Sequence, residues 1–229
     1  MKIIEPSFSI TTPFGALTPE LGVSMLRFIE AQARISHRSE DKQTDTSWQR
    51  FLEEVVIKHG DWSVAEHSSF TVIFRVDRGI MFELRTHRHF SFTAESTRFV
   101  KYGGKQVPEL EFIRPQEIPG PEVISDRRWF AFNEALTVAE REYFYLLEHG
   151  ARPQEARSVL PNALASTVAM TGNLRAWRWF FQSRITQEAH PDMKAVTVPL
   201  LEEVKTKIPL LYDDLEIGQK QSISMARVH

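Results

Sequence analysis

The sequence predicts an α+β (α/β) fold in which several helices pack with a small, mostly antiparallel sheet. Three observations point there. Apolar residues recur at helical spacing through most of the chain, while only a few short segments are rich in β-branched and aromatic residues. The glycines form neither GxGxxG nor a Walker A loop, which sets aside a dinucleotide-binding βαβ unit and a P-loop. With 229 residues, 42% of them hydrophobic, and no polar linker or repeat, one domain over residues 1–229 is expected.

The elements follow in order. PELGVSMLRFIEAQARI, from Pro19 to Ile35, reads as a helix with Thr18 as N-cap. Residues 47–59 read as a second, stopped by Gly60. SFTVIFRV, Ser69 to Val76, reads as a strand. A third helix is expected from Gly79 to Phe90. Residues 104–121 hold four prolines and read as loop, with a short strand at 110–113. A long helix from Glu122 to about His149 is closed by Gly150, and Pro153 opens another that runs to Val159. Residues 163–171 favour strand, Asn173 caps a helix through Ser183, and a last helix spans 191–208 despite Pro199.

Composition narrows the function. A formal net charge of -2 gives no global field for nucleic acid or an anionic membrane, so any anion site is local. No secretory leader and no apolar run of about 20 residues is visible, which predicts a cytoplasmic protein. Cysteine is absent, which excludes disulfides, thiolate metal sites and cysteine nucleophiles. No metal site is expected, because His87 and His89 would diverge on a helix and no acidic or histidine cluster accompanies them.

Arginines stand where hydrophobes are due. Extending the Ile80, Met81, Leu84 face along a 79–90 helix brings His87, Arg88 and Ser91 onto it, so Arg88 must meet a carboxylate such as Glu66, a phosphate or a wet cleft. Arg184 lies two turns after Trp177, in line with Phe180 and Phe181. Asn173 and Arg175 occupy a helix first turn, where a dipole favours anions. Ser96, Thr97 and Arg98 offer two hydroxyls and a guanidinium suited to a phosphate monoester, and Arg157 sits among small and apolar neighbours in EARSVLP.

THRHFSFTAESTRF resembles the signature of the flavin-dependent thymidylate synthases, RHR followed by a spaced serine and Ser-x-Arg. DWSVAEHSSFTV upstream, and EARSVLP, NLRAWRWFFQSR and AHPDMK downstream, resemble other segments of that family, so the likeness runs from about Ser36 to Pro199. The resemblance implies a thymidylate-synthase-complementing type fold and a homotetramer with sites at subunit junctions. It implies conversion of dUMP to dTMP with methylenetetrahydrofolate as carbon donor, a folate partner, and NADPH as hydride source through FAD. It implies FAD contacts from Ser63, His87, Arg88, Asn173 and Arg175, with Ser36 and Glu66 matching weaker positions near the flavin. Ser96, Thr97, Arg98 and Arg157 would hold dUMP, and Arg184 would lie against its uracil as the catalytic group.

The chemistry agrees. Without cysteine, activation of C5 by thiolate addition to C6 is closed, and a flavin supplies the redox chemistry instead. The signature's first Arg is Thr86 here, its Asn is Thr93 and the following acid is Ala94; Asp61 replaces a common His, and Trp179 a polar residue near the flavin. These departures keep open a relative that leaves a hydroxymethyl group on C5, or a catalytically inactive homologue. A nucleic-acid-binding module is the reading of another class, with Arg85, Arg88, Arg98, Lys101 and Lys105 as basic groups and Phe90, Phe92, Phe99 and Tyr102 for stacking.

Overall fold

A computed structural model describes residues 1–104, 107–123 and 125–219. Lys105, offered above as a basic contact, lies outside the described residues, as do Gln106 and Ile124 of the expected loop and long helix. The strands are β1 (Lys2–Ile4), β2 (Ser7–Thr12), β3 (Gly15–Ala16), β4 (Ser69–Asp77), β5 (Phe90–Ala94), β6 (Glu111–Ile113) and β7 (Ala165–Asn173). The α-helices are α1 (Pro19–Arg34), α2 (Ser47–Leu52), α3 (Arg78–Leu84), α4 (Arg127–Glu148), α5 (Pro153–Ala156), α6 (Leu174–Arg184) and α7 (Pro191–Lys207). A five-stranded sheet has the order β3-β2-β4-β7-β5, and β1 pairs separately with β6 in parallel. Helices around a small sheet make this the α+β class that the sequence predicts.

The chain forms two compact units. The first holds Met1–Ser7, Phe74–Thr86 and Phe92–Ala169; the second holds Phe8–Ile73, His87–Ser91 and the chain from Met170 onward. In the first, Tyr102, Leu110, Phe112, Leu136, Tyr143, Ala156 and Leu164 form one apolar cluster. Tyr102 is 2% exposed, so it cannot stack on a nucleic acid base.

The second unit packs α6 and α1 against α7. The Trp177 ring stacks on Phe70 at 4.8 Å and its Nε1 donates to the Phe70 carbonyl, so the one polar atom of a fully buried indole is satisfied. Helices α1 and α7 approach so closely at Gly22 that a Cβ there would lie 1.8 Å from the Lys207 carbonyl oxygen. Buried Glu30 accepts from Arg34 Nε and Nη2 and from the Ser47 hydroxyl, which satisfies a charge that would otherwise destabilise the core.

Most expected elements form, with caps as read. Thr18 accepts from Leu21 N, Asn173 accepts from Ala176 N, and Gly60 and Gly150 take positive φ after their helices. The second helix changes to a π-turn over residues 53–58, and the fourth begins at Arg127, where Asp126 caps it.

The expected helix over 79–90 is corrected. It ends at Leu84, where the Thr86 hydroxyl takes the Glu83 carbonyl and Thr86 N donates to the same oxygen, tightening the last turn. His89 then adopts φ +67°, and β5 starts at Phe90. His87, Arg88 and Ser91 therefore share no helical face with Leu84, and Arg88 is exposed on the turn instead of extending a buried stripe.

Candidate functional site: an arginine pocket and a histidine–arginine pair

Helix α3 builds the first unit's pocket. Asp77 ends β4 and its carboxylate caps Ile80 N at 3.0 Å, starting the helix at once. Ile80, Met81 and Leu84 are buried. Arg78, Met81, Phe82 and Arg85 stand at i, i+3, i+4 and i+7, one continuous face, and all four line a cavity of about 270 Å³. The other wall is Phe92 and Ala94 to Thr97, with Arg157.

Thr97 is the centre of this pocket. It is 3% exposed, and its hydroxyl oxygen accepts from Arg157 Nη1 at 3.0 Å and from Arg78 Nη1 at 3.4 Å. Among the described residues neither guanidinium meets a carboxylate, and no hydrogen bond or ion pair engages the Arg85 side chain. Two like charges converging on one neutral hydroxyl repel unless an anion joins them.

The loop carrying Thr97 is clamped by Glu95. Its carboxylate accepts from Arg75 Nη1 at 2.8 Å, from the Tyr102 hydroxyl at 2.9 Å and from Thr167 N at 3.2 Å, while its own N donates to the Thr167 carbonyl. Burial and the Glu95 charge push the Tyr102 hydroxyl well above the ordinary phenol range, so it remains a donor. Arg75 also reaches Glu111 at 2.8 Å. Glu95 thus faces the pocket with its oxygens already occupied.

Ser96 Oγ accepts from Arg98 N at 3.4 Å, a local turn. Arg98 Nε donates to Gln154 Oε1 at 3.1 Å and its guanidinium lies over Phe99, so this arginine is tethered to α5 and does not line the cavity. The structure therefore brings Ser96, Thr97 and Arg157 together in one pocket, with Arg98 held beside it.

His87 and Arg184 meet in the second unit. Arg184 Nε donates to His87 Nε2 at 2.8 Å, which leaves the imidazole proton on Nδ1. The ring packs edge-on against Phe180 at 5.0 Å. Burial, and then the Arg184 charge, lower the His87 pKa to about 4, so it is a neutral acceptor. Arg184 ends the apolar Trp177, Phe180, Phe181 face as the spacing predicts, and its carbonyl is held by the Thr197 hydroxyl.

Asn173, Arg175 and Ser63 belong to the same unit. The Asn173 amide oxygen is taken by the helix cap, and half-exposed Arg175 pairs with Glu66 at 2.7 Å. Glu66, named above as a partner for Arg88, is thus engaged by Arg175. Ser63 is exposed on the short 3-10 segment Trp62–His67, and the Ser36 hydroxyl donates to the Ala33 carbonyl.

Sequence reasoning missed Arg78, Phe82 and Gln154, and set Arg85 aside. The signal for Arg78, Phe82 and Arg85 was the second face of α3, where two arginines seven residues apart flank Met81 and Phe82; Gln154, on α5, gave none.

The residues 24–210 match the family model described as thymidylate synthase complementing protein. The flavin-dependent thymidylate synthase of Corynebacterium efficiens is 34% identical over 201 residues, covering 82% of this chain and 79% of that protein. The enzyme of the same name from Corynebacterium glutamicum is 35% identical, covering 71% and 68%. Among solved structures, the UMP/dUMP methylase PolB from Streptomyces cacaoi, bound with 5-Br dUMP, shares the fold at a TM-score of 0.69 and 19% identity, over 93% of this chain and 95% of that one. The likeness thus extends through both units and from sequence to topology, and the chain belongs to the thymidylate synthase complementing protein family.

Proposed function

We propose that this chain is a flavin-dependent thymidylate synthase, one family domain over residues 1–229 acting as a cytoplasmic homotetramer. It converts dUMP, methylenetetrahydrofolate, NADPH and a proton into dTMP, tetrahydrofolate and NADP⁺, with a methyl group replacing hydrogen at C5. The observation that carries this reading is Thr97, whose hydroxyl draws two guanidiniums that meet no carboxylate among the described residues, the electrostatics that a nucleotide phosphate completes. The absence of cysteine favours the flavin route over thiolate activation.

Ser96, Thr97, Arg98 and Arg157 hold dUMP through its phosphate and sugar. Arg184 lies against the uracil and stabilises the negative charge that builds on the ring as C5 becomes nucleophilic. His87, being neutral, fixes the guanidinium without offsetting its charge.

The second unit's donors fit a flavin diphosphate. Arg175 is half exposed and spends only Nη1 on Glu66, exposed Trp179 adds an aromatic surface one turn along α6, and Ser63 offers an exposed hydroxyl. Ser63, His87, Arg88, Asn173 and Arg175 would hold FAD, which when bound carries reducing equivalents from NADPH to the one-carbon unit.

The test is anaerobic incubation of the purified protein with FAD, dUMP, methylenetetrahydrofolate and NADPH, followed by mass measurement of the nucleotide. A gain of one CH2 is expected. A gain of CH2O would identify a hydroxymethyl-transferring relative, and an unchanged nucleotide would overturn both.

A further inference from the structure

We propose that Arg78, at the start of α3, and Arg85, its C-cap, are specificity-determining residues for the substrate's 5′-phosphate, forming with Arg157 a three-guanidinium site around Thr97 that takes a phosphate monoester dianion. The inference rests on the dUMP reading and deepens it, since neither residue belongs to the signature that the sequence resembles.

Three independent observations converge. Arg78 already donates to Thr97 Oγ1, the same atom that Arg157 reaches, so its guanidinium is aimed at the polar centre of the cavity. Arg85 lies two turns further on the same helix face and lines the same cavity, with no hydrogen bond or ion pair on its side chain among the described residues. Three arginines line the cavity, and its one lining carboxylate, Glu95, is already paired with Arg75. A phosphate monoester, with about 1.5 to 2 negative charges near pH 7, is the kind of dianion that such a set of cations holds.

The aromatic residues give the site its second requirement. Phe82 and Phe92 border the cavity, and Phe82 lies 5.6 Å from the Arg78 guanidinium carbon. These rings shield one side of the cations from water, which strengthens their attraction for a phosphate relative to an open surface. A nucleoside without the phosphate gains none of this. Arg85 also restores beside Thr86 the positive charge that the signature places at that position, but directs it into the cavity from α3.

The test is equilibrium binding of dUMP, deoxyuridine and inorganic phosphate to the full-length protein at low and high salt, comparing the wild type with Arg78→Gln, Arg85→Gln, Arg85→Lys and Arg157→Gln. Each glutamine variant is expected to weaken dUMP binding by about tenfold or more and leave deoxyuridine binding unchanged. The salt dependence of dUMP binding should become shallower, and Arg85→Lys should recover part of the affinity. Arg85 is exposed, so thermal melts of its variants should match the wild type.

If Arg157→Gln loses dUMP while both α3 variants bind it normally, the inference falls and the dUMP reading stands. If phosphate binding depends on Arg78 and Arg85 but dUMP binds no better than phosphate, the dianion site stands and the dUMP reading falls. Wild-type protein that binds neither phosphate nor dUMP would overturn both.

Discussion

Arg184 Nε donates to His87 Nε2 at 2.8 Å, an arrangement that holds only while the imidazole is neutral. Burial beside Phe180, and then the cost of placing a second cation against Arg184, lower the His87 pKa from 6.5 to about 4. The folded-state value lies below the unfolded one. Above pH 6.5 the ring is neutral in both states and costs nothing; between pH 6.5 and 4 the unfolded chain takes up a proton that the folded chain resists. Stability contributed by this pair is therefore present above pH 6.5 and lost as pH falls through 4. Imidazole NMR should show His87 titrating near pH 4, and His87→Gln, which keeps an acceptor, should remove that step. A His87 resonance titrating near 6.5 would refute the pairing.

Glu95 holds the Ser96–Arg98 loop through three donors, so its loss should reach the pocket. Glu95→Gln leaves Arg75 one carboxylate short and sets an amide donor near Thr167 N, a cost of about 2–3 kcal/mol. Tyr102→Phe, which deletes one of the three bonds, should cost about 1 kcal/mol. Urea unfolding reads both, and dUMP binding should weaken in Glu95→Gln. An unchanged unfolding midpoint in Glu95→Gln would show that the clamp contributes nothing.

These two sites differ in how far the sequence disclosed them. Arg184 was legible because α6 keeps one period from Trp177 through Phe181, so a cation at the next turn stood out. Arg88 was misplaced by the same logic, because the apolar stripe through Leu84 gave no sign that the Thr86 hydroxyl would turn back onto Glu83 and end the helix. The alternation in Phe90, Phe92 and Ala94, half-buried between exposed Ser91 and Thr93, was a strand signal hidden by that extrapolation. Glu95 was unreadable, since Arg75 lies 20 residues before it and Thr167 72 residues after, and only Tyr102 is a near neighbour in the chain.

Gly172 tests the aromatic support of His87. A Cβ at this position would lie 2.3 Å from the Phe90 ring, which packs edge-on against Trp177 at 4.9 Å and faces His87 at 6.5 Å. Gly172→Ala should destabilise the protein by about 1–3 kcal/mol through overpacking. Displacement of Phe90 should also shift the His87 resonance. If the melting temperature and that resonance are both unchanged, the close approach is not a constraint in solution.

Thr86 marks the clearest departure from the family signature, and its surroundings permit the family residue. It is exposed on the turn after α3, and its side chain makes one bond, to the Glu83 carbonyl at 2.7 Å. Thr86→Arg removes that bond, and an arginine can extend into solvent, so thermal stability should change by no more than about 1 kcal/mol. A guanidinium added beside His87 and Arg88 in sequence should tighten FAD binding by about tenfold, the worth of one charge-assisted hydrogen bond to a diphosphate. Flavin fluorescence quenching measures the affinity, while dUMP binding, assigned to Thr97 and its arginines, should remain as in the wild type. Unaltered flavin affinity would mean that the residues already present, Arg175 foremost, supply the charge the cofactor needs.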